Sequence, residues 1–223
     1  MNIALIIARE GSRRIKNKNI KLFFGHPVIA YSIKTALNSK IFSRVIVSTE
    51  SQKISKISRK YGAEIAFKRP KILADHKTST INVLKHAIKK LSLNKKKINI
   101  CCIYPVAPLI TKKILISGYN KFKKLDADFL VTILKKEKKK DRFFFIRKNG
   151  FLQETKSKHK ALYQDAGQFY WGKTQSLLRF SSLFKGKVAP LFFSEKKAID
   201  VNTNKDWKKL INLYKKSNET IKI

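Results

Sequence analysis

The sequence has little cysteine, few carboxylates and no long apolar run, and each shortage excludes a class of protein. Its only two cysteines, Cys101 and Cys102, are adjacent. Adjacent side chains of a strand point to opposite faces, so we expect no disulfide between them and predict two buried, reduced thiols. No apolar run approaches the roughly 20 residues that span a bilayer, and residues 3–8 are too few for a signal-peptide core. The sequence therefore predicts a cytoplasmic protein with no membrane partner.

The shortage of carboxylates leaves a large positive charge, because 14 Asp and Glu face 51 Lys and Arg, for a net charge of +37. Three interpretations are open: codon usage of an AT-rich genome, attraction of anionic substrates, or nucleic-acid binding. The lysines are spread along the chain in short clusters, and the sequence contains no zinc-ligand spacing and no nucleic-acid-binding signature. Codon usage is the favoured interpretation, and nucleic acid is the least favoured.

The pattern of apolar residues predicts an α/β fold with a mostly parallel, mixed sheet flanked by helices. Four apolar runs predict buried strands at residues 3–8, 44–48, 98–104 and 129–134. Three stretches with apolar residues at helical spacing lie between them, which is the alternation of βαβ units. At 223 residues and 43% hydrophobic content, we predict a single domain over residues 1–223.

The later part of the chain departs from this alternation. Residues 142–147 and 151–154 flank Asn149 and Gly150, which predicts a β-hairpin. Two more strands are expected at residues 168–171 and 188–193. A last helix follows, with Thr203 and Asp206 as its capping box.

A basic loop, residues 9–19, follows the first predicted strand. It carries five cations around Gly11 and Ser12. Glycine permits a turn whose amides face an anion, and the arginines and lysines supply charge. Ligands of such sheets bind at the carboxyl ends of strands. The loop therefore predicts a polyphosphate site, with a solvated basic loop as the alternative.

Residues 8–19 resemble a signature of the nonulosonate cytidylyltransferases, the family of acylneuraminate and pseudaminate cytidylyltransferases. The resemblance continues in order through residues 67–80, the turn at 104–109 and residues 200–207. Residues 163–172 resemble the pseudaminate branch in particular. The resemblance spans residues 3–207 and implies a Rossmann-like nucleotidyltransferase fold. It also implies a homodimer, because the hairpin at about 141–163 falls where relatives carry a dimerisation extension.

The family resemblance implies transfer of CMP from CTP to the anomeric hydroxyl of an acidic nine-carbon sugar. The implied catalytic residues are Arg9, Arg13, Lys18 and Asp200, and the implied Mg²⁺ ligands are Asp200 and Asn202. Further substrate contacts are implied for Ala8, Gly11, Ser12, Asn19, Arg69, Asp75, Thr78, Tyr104, Gln164, Asp165, Gln168 and Tyr170. Among these, Arg69 and Thr78 are expected around the cytidine, and Gln164, Asp165 and Gln168 around the sugar. Asp165 and a hydroxide held by the metal both stay open as the general base.

Three departures from the family pattern affect the chemistry. Glu10 replaces a glycine, Val106 a threonine and Asn202 an aspartate. We expect Glu10 to point outward rather than to pair with an arginine, and Asn202 to weaken Mg²⁺ binding because an amide carries no charge. The alternatives are a neuraminate or legionaminate enzyme, an inactive relative, or a basic nucleic-acid-binding protein.

Overall fold

The computed structural model describes residues 1–136, 143–155, 162–217 and 223. The first half of the chain contains β1 (Asn2–Ile7), a 3-10 helix (Lys18–Ile20), β2 (Leu22–Phe23), β3 (His26–Pro27), α1 (Val28–Ser39), β4 (Arg44–Ser48), α2 (Gln52–Lys60), a second 3-10 helix (Lys71–Ala74), α3 (Thr80–Lys90) and β5 (Asn99–Ile103). The second half contains α4 (Lys112–Lys124), β6 (Phe129–Lys136), β7 (Phe143–Ile146), β8 (Leu152–Thr155), β9 (Leu162–Lys173), α5 (Thr174–Arg179), β10 (Val188–Phe193) and α6 (Asn204–Lys215).

One mixed sheet forms the centre of the described part of the chain, with six strands in the order β10-β6-β9-β5-β1-β4. Strand β1 runs parallel to β4 and β5, and β10 runs parallel to β6. Strand β9 is antiparallel to both β5 and β6. The hairpin of β7 and β8 is attached to this sheet through β9. The predicted α/β class with a mostly parallel, mixed sheet is confirmed.

Each face of the sheet is covered by helices. Cys101 belongs to the apolar cluster that includes residues of α1 and α4, whereas Cys102 belongs to the cluster that includes residues of α3 and α5. Both thiols are buried and free, as expected. A third cluster joins Phe23 and Tyr31 to Trp207 of α6, and it also contains Ile15 and Val201. Packing of the third cluster therefore brings the basic loop next to residues 200–202.

The sequence located most of these elements but not all of them. The predicted strands match β1, β4, β5, β6 and β10 within one or two residues, and the capping box of Thr203 and Asp206 is present at α6. The predicted hairpin is present as β7 and β8. The expected insertion at about 141–163 also includes residues outside the described ones, 141–142 and 156–161. Helices α4 and α5 were not predicted.

Strand β9 is longer than the predicted 168–171, because it begins at Leu162 and contains a bulge. Val131 and Ile133 of β6 pair with Tyr170 and Asp165 of β9. Two residue steps along β6 therefore correspond to five along β9, so β9 carries three extra residues in the bulge. Gly167 lies within the bulge with a positive φ of 59°. Such a bulge re-aims side chains at the end of a strand.

Candidate active site

A large cleft opens at the carboxyl ends of β1 and β5, with a volume of about 950 Å³. It brings together side chains from every motif that the sequence singled out. Fifteen of the residues named above line it: Arg9, Ser12, Arg13, Lys18, Asn19, Arg69, Asp75, Thr78, Tyr104, Val106, Gln164, Asp165, Tyr170, Asp200 and Asn202. Ala8, Gly11, Glu10 and Gln168 do not line it. Glu10 is exposed, as expected.

The basic loop is held in place by its own polar side chains. Asn19 is buried and its Nδ2 donates to the Arg9 carbonyl at 2.8 Å. The Lys18 ammonium donates to the Val201 carbonyl at 2.7 Å, which connects the loop to residues 200–202. Burial lowers the pKa of Lys18 below its usual value, and nearby Asp200 partly offsets this. The cleft thus holds a desolvated ammonium, a group that gains from an incoming anion.

The loop amides are used differently from the expectation that they cradle an anion. The Glu10 amide donates to Oε1 of Glu50 at 2.7 Å, and the Ser12 amide donates back to the Glu10 carbonyl at 2.7 Å. The Ala8 carbonyl accepts a hydrogen bond from Nη2 of Arg69. The amides of Glu10 and Ser12 are therefore engaged within the protein, whereas the Ser12 hydroxyl and the cationic side chains of the loop line the cleft.

Arg69 is only 3% exposed although it carries a charge. Its Nη2 donates to the Ala8 carbonyl and to Oε2 of Glu50, the latter at 2.9 Å. Its Nε is buried and makes no hydrogen bond within the described part of the chain. Burial lowers the pKa of Arg69, and Glu50 opposes this change. The guanidinium is thus anchored on one side, while part of it still reaches the cleft.

The loop between the second 3-10 helix and α3 is shaped by Asp75. Its Oδ1 accepts from the amides of Lys77 and Thr78, at 3.1 and 2.6 Å. These hydrogen bonds, mainly those with Thr78, lower the pKa of Asp75. The Thr78 hydroxyl donates to the Ile72 carbonyl at 3.2 Å. Both side chains line the cleft, but each already makes a contact that fixes the loop.

A chain of hydroxyl and carboxylate groups lies along another wall of the cleft. The Tyr170 hydroxyl donates to Oδ2 of Asp165 at 2.5 Å, and Oδ1 of Asp165 accepts from the Gly167 amide at 2.9 Å. The Tyr104 ring meets the Tyr170 ring edge-on, and its hydroxyl lies 2.9 Å from that of Thr80. Burial raises the pKa of both tyrosines far above the usual value. Both phenols therefore stay protonated, and the Tyr170 hydroxyl orients Asp165.

Gln168 is not where the sequence placed it. Alternation along a regular strand gives Gln168 the same face as Tyr170. In the structure its side chain is 1% exposed, and its Nε2 donates to the carbonyls of Ala166 and Ile199, at 2.7 and 3.1 Å. The bulge of β9 rotates it away from the cleft. Gln168 supports the segment that leads to Asp200, and the expectation that it contacts the sugar is corrected.

Asp200 and Asn202 lie side by side beside the basic loop. Nδ2 of Asn202 donates to Oδ2 of Asp200 at 2.7 Å, and its Oδ1 accepts from Nη2 of Arg14 at 2.8 Å. An alanine Cβ at Gly167 would lie 3.3 Å from Cγ of Asp200, so the bulge packs directly against this carboxylate. The amide oxygen expected to bind Mg²⁺ is thus engaged by an arginine.

The oxygen donors of the cleft decide whether it can hold Mg²⁺. No cluster of three or more His, Cys, Asp or Glu side chains able to hold a metal occurs among the described residues. Mg²⁺ in nucleotide sites is usually held by one or two carboxylates together with substrate phosphates and waters. Asp200 supplies one such carboxylate in the cleft, so the residues fit an ion that phosphate oxygens help to hold.

Several lining or supporting residues were missed from the sequence, among them Phe144, Phe184 and Glu50. Phe144 of β7 and Phe184 lie in the cleft wall with their rings stacked at 4.7 Å. Glu50 supports the site from behind and follows β4 directly. The rule that functional residues follow strand ends could have found Glu50. Phe144 lay in the hairpin that was assigned to dimerisation.

Comparisons with known proteins agree on one family. A family profile described as "Cytidylyltransferase" matches residues 3–220. The pseudaminic acid cytidylyltransferase of Campylobacter jejuni subsp. jejuni serotype O:2 is 35% identical over 228 residues, which cover 98% of each chain. The CMP-N,N'-diacetyllegionaminic acid synthase of the same organism is 43% identical, but over 86 residues and 39% of this chain.

A solved structure has the same fold. It is a CMP:2-keto-3-deoxy-manno-octonic acid synthetase in complex with CTP, which superposes with a TM-score of 0.76 over 95% of this chain and 97% of that chain. Sequence identity is 13%, so this likeness concerns the fold alone. Separately, no helix among the described residues is long and apolar enough to cross a membrane.

Proposed function

The chain belongs to the cytidylyltransferase family, and from this premise we propose that it transfers CMP from CTP to pseudaminic acid and releases pyrophosphate. The observation that carries the choice of sugar is the extent of similarity. The relative named for pseudaminic acid matches 98% of the chain, whereas the relative named for legionaminic acid matches 39%.

In the proposed reaction the anomeric hydroxyl of the sugar attacks the α-phosphate in line, the bond from that phosphorus to the bridging oxygen breaks, and pyrophosphate leaves. The proton of the hydroxyl passes to a general base, for which Asp165 is available in the cleft. Such transfers depend on positioning and on neutralising charge. Arg9, Arg13 and Lys18 line the cleft and would hold the triphosphate and the leaving group. Burial disfavours the charged form of Lys18 and lowers its pKa, whereas a bound phosphate would favour the charged form and raise the pKa again. This interaction would contribute part of the free energy of triphosphate binding.

The nucleoside and the sugar would occupy different walls of the cleft. Arg69 and Thr78 would lie around the cytidine, and Gln164 and Asp165 around the sugar. Asp165 is an acceptor whose orientation is fixed by Gly167 and Tyr170, which suits a carboxylate that holds sugar donors. Mg²⁺, when bound by Asp200 and the phosphates, would supply positive charge at the leaving group.

The setting of the enzyme is part of the proposal. CTP is a cytoplasmic nucleotide, and we propose that the protein acts in the cytoplasm on two small anionic substrates. We also propose a homodimer. Its support is the hairpin of β7 and β8, which projects from β9 at the position where the family resemblance implies a dimerisation extension.

The proposal is tested by initial rates of pyrophosphate release from CTP and Mg²⁺ with pseudaminate, legionaminate or N-acetylneuraminate. We expect turnover with pseudaminate and a kcat/KM at least about tenfold lower with the other two, since a site built for polar groups rejects analogues that leave them unpaired. UTP in place of CTP is the matched nucleotide control. Equal or higher rates with another sugar would correct the substrate, and no turnover with any sugar would identify an inactive relative.

A further inference from the structure

We propose that Glu50 is a positioning residue, which joins the basic loop to Arg69 and thereby sets the geometry of the nucleotide site. This inference rests on the proposed use of CTP. Glu50 was not among the residues that the family resemblance singled out, and it does not line the cleft itself. Its place in the fold is directly after β4, between the end of β1 and the segment that carries Arg69.

The two carboxylate oxygens of Glu50 contact two different parts of the site. Oε1 accepts from the Glu10 amide of the basic loop at 2.7 Å, and Oε2 accepts from Nη2 of Arg69 at 2.9 Å. The same Nη2 also donates to the Ala8 carbonyl at the start of that loop. A single side chain therefore fixes the loop from behind and orients the arginine that reaches the cleft.

Burial makes this contact strong and selective. The side chain of Glu50 is 12% exposed and that of Arg69 is 3% exposed, so water screens the pair poorly. Glu50 also opposes the effect of burial on the pKa of Arg69. Only a carboxylate offers two acceptors to two donors here, because the amide of glutamine presents one acceptor and one donor.

The backbone supports the same connection. The Arg69 amide donates to the Thr49 carbonyl at 3.0 Å, and the Ala8 amide donates to the Ser48 carbonyl at 3.1 Å. The backbone thus places the three segments side by side, and the Ala8 carbonyl holds the guanidinium from one direction. Glu50 holds it from a second direction, so the loss of Glu50 would weaken CTP binding while the fold persists.

The test measures the dissociation constant for CTP, without sugar, in wild type, Glu50→Gln and Glu50→Asp. Loss of one charge-assisted hydrogen bond predicts about a tenfold weaker binding for Glu50→Gln. Glu50→Asp keeps the charge but is shorter by one methylene, so we expect an intermediate value. In steady state, Glu50→Gln should raise KM for CTP and leave KM for the sugar unchanged.

The matched control is Glu64→Gln. Glu64 also pairs with an arginine, Arg44, beside the same strand β4, but it does not line or support the cleft. The Glu64→Gln variant should have the same dissociation constant for CTP as the wild type. A double-mutant cycle with Arg69→Gln adds a second criterion: if Glu50 acts through Arg69, Glu50→Gln should have less than about a twofold effect in that background.

The inference and the proposed function fail in different ways. Binding of CTP by Glu50→Gln within twofold of wild type, an equal rise in KM for the sugar, or additivity in the cycle would each overturn the role of Glu50. Wild-type protein that binds no CTP would overturn the proposed function and this inference together. Should Glu50→Gln fail to fold, wild-type CTP affinity in Glu50→Asp would overturn the role.

Discussion

Asn202 connects two charged groups of the cleft. Its amide lies between Asp200 and Arg14, donating to one and accepting from the other. Asn202 therefore acts as a hydrogen-bonded bridge that holds Asp200 beside the basic loop.

Asn202→Asp replaces the donor to Asp200 by a second negative charge, and we expect it to lower the apparent dissociation constant for Mg²⁺ several-fold. Two adjacent carboxylates repel each other until a cation binds between them. The measurement is a calorimetric titration of the protein with Mg²⁺ in the presence of CTP. Asn149→Asp is the control, since Asn149 is exposed in the hairpin turn and undergoes the same change of charge. An unchanged Mg²⁺ affinity would move the metal away from this pair.

Gly167 supports Asp200 from the other side, and Gly167→Ala should reduce kcat by up to about 100-fold, the cost of a displacement near 1 Å. Its φ is +59°, and the added Cβ would lie 3.3 Å from Cγ of Asp200. Gly150→Ala is the control, because φ there is +81° with no atom within 4 Å. Each substitution should cost about 1–2 kcal/mol of folding free energy from backbone strain.

Steady-state rates and denaturant unfolding of both variants separate the two effects. Only Gly167→Ala is expected to lose activity beyond its loss of stability. Equal loss of activity in both variants would show that the contact with Asp200 is unimportant.

At this scale, the sequence predicted best those residues that directly follow a strand. Arg9 and Tyr104 line the cleft because parallel strands end at the same edge of a sheet. Gln168 could not be predicted, because the three extra residues of the β9 bulge break the two-residue alternation. Glu50 was overlooked since it carries no motif and acts through other residues.

The N-terminus of α6 is the element that holds residues 200–202 in place. Oδ2 of Asp206 accepts from the amides of Asn202 and Thr203, at 3.0 and 2.7 Å, and the Thr203 hydroxyl accepts from the Asp206 amide. The capping box thus connects the helix to the proposed metal ligand. Its hydrogen bonds to Thr203 and Asn202 also help to lower the pKa of Asp206, against the effect of burial.

Thr203→Ala should lower the free energy of unfolding by about 1 kcal/mol, the usual cost of losing an N-cap, and should also weaken Mg²⁺ binding. Thr111→Ala is matched to it, because Thr111 caps α4 through the Ile114 amide and lies outside the cleft. Denaturant unfolding and Mg²⁺ titration of both variants check this. The account is contradicted if both variants change Mg²⁺ affinity equally.

Helix α3 contains His86, whose two ring nitrogens are buried without hydrogen-bond partners in the described part of the chain. Burial, with smaller effects from Lys90, Arg69 and Lys89, lowers its pKa below the ordinary 6.5. Between the lowered folded-state pKa and 6.5, the unfolded chain binds more protons. The free energy of unfolding should therefore fall as the pH decreases below about 6.5.

His86→Phe removes this titration, so its stability should depend less on pH below about 6.5 than that of wild type. Phenylalanine also suits the edge-on contact that His86 makes with Phe67. Denaturant unfolding of both proteins at several pH values is the measurement. Parallel pH profiles would show that the buried imidazole does not contribute.

At the scale of elements, short buried strands were predictable because an apolar run bounded by polar residues has few alternatives. Helix α4 was missed because lysines occupy most of its surface and Gly118 occupies one of its buried positions, against Phe169. The start of β9 was missed because it contains Gln164 and Asp165, two polar residues that line the cleft and interrupt the apolar pattern of a core strand.

The charge of +37 belongs to the whole molecule, and the cleft gives part of it a role. Five cationic side chains line the cleft: Arg9, Arg13, Arg14, Lys18 and Arg69. Three of the few carboxylates, Asp75, Asp165 and Asp200, line it with them. Positive charge around a cleft raises the local concentration of anionic substrates. Attraction of CTP and an acidic sugar is thus sufficient to explain the cations at the site, and nucleic acid is not needed.

The most direct test offers the enzyme all three sugars together, with CTP and Mg²⁺, and identifies the products by mass spectrometry. Legionaminate carries deuterium-labelled acetyl groups, so that its product differs in mass from that of its stereoisomer pseudaminate. The account predicts CMP-pseudaminate as the main product, formed in amounts equal to the pyrophosphate released. A different CMP-sugar as the main product, or pyrophosphate accompanied only by free CMP, would contradict it.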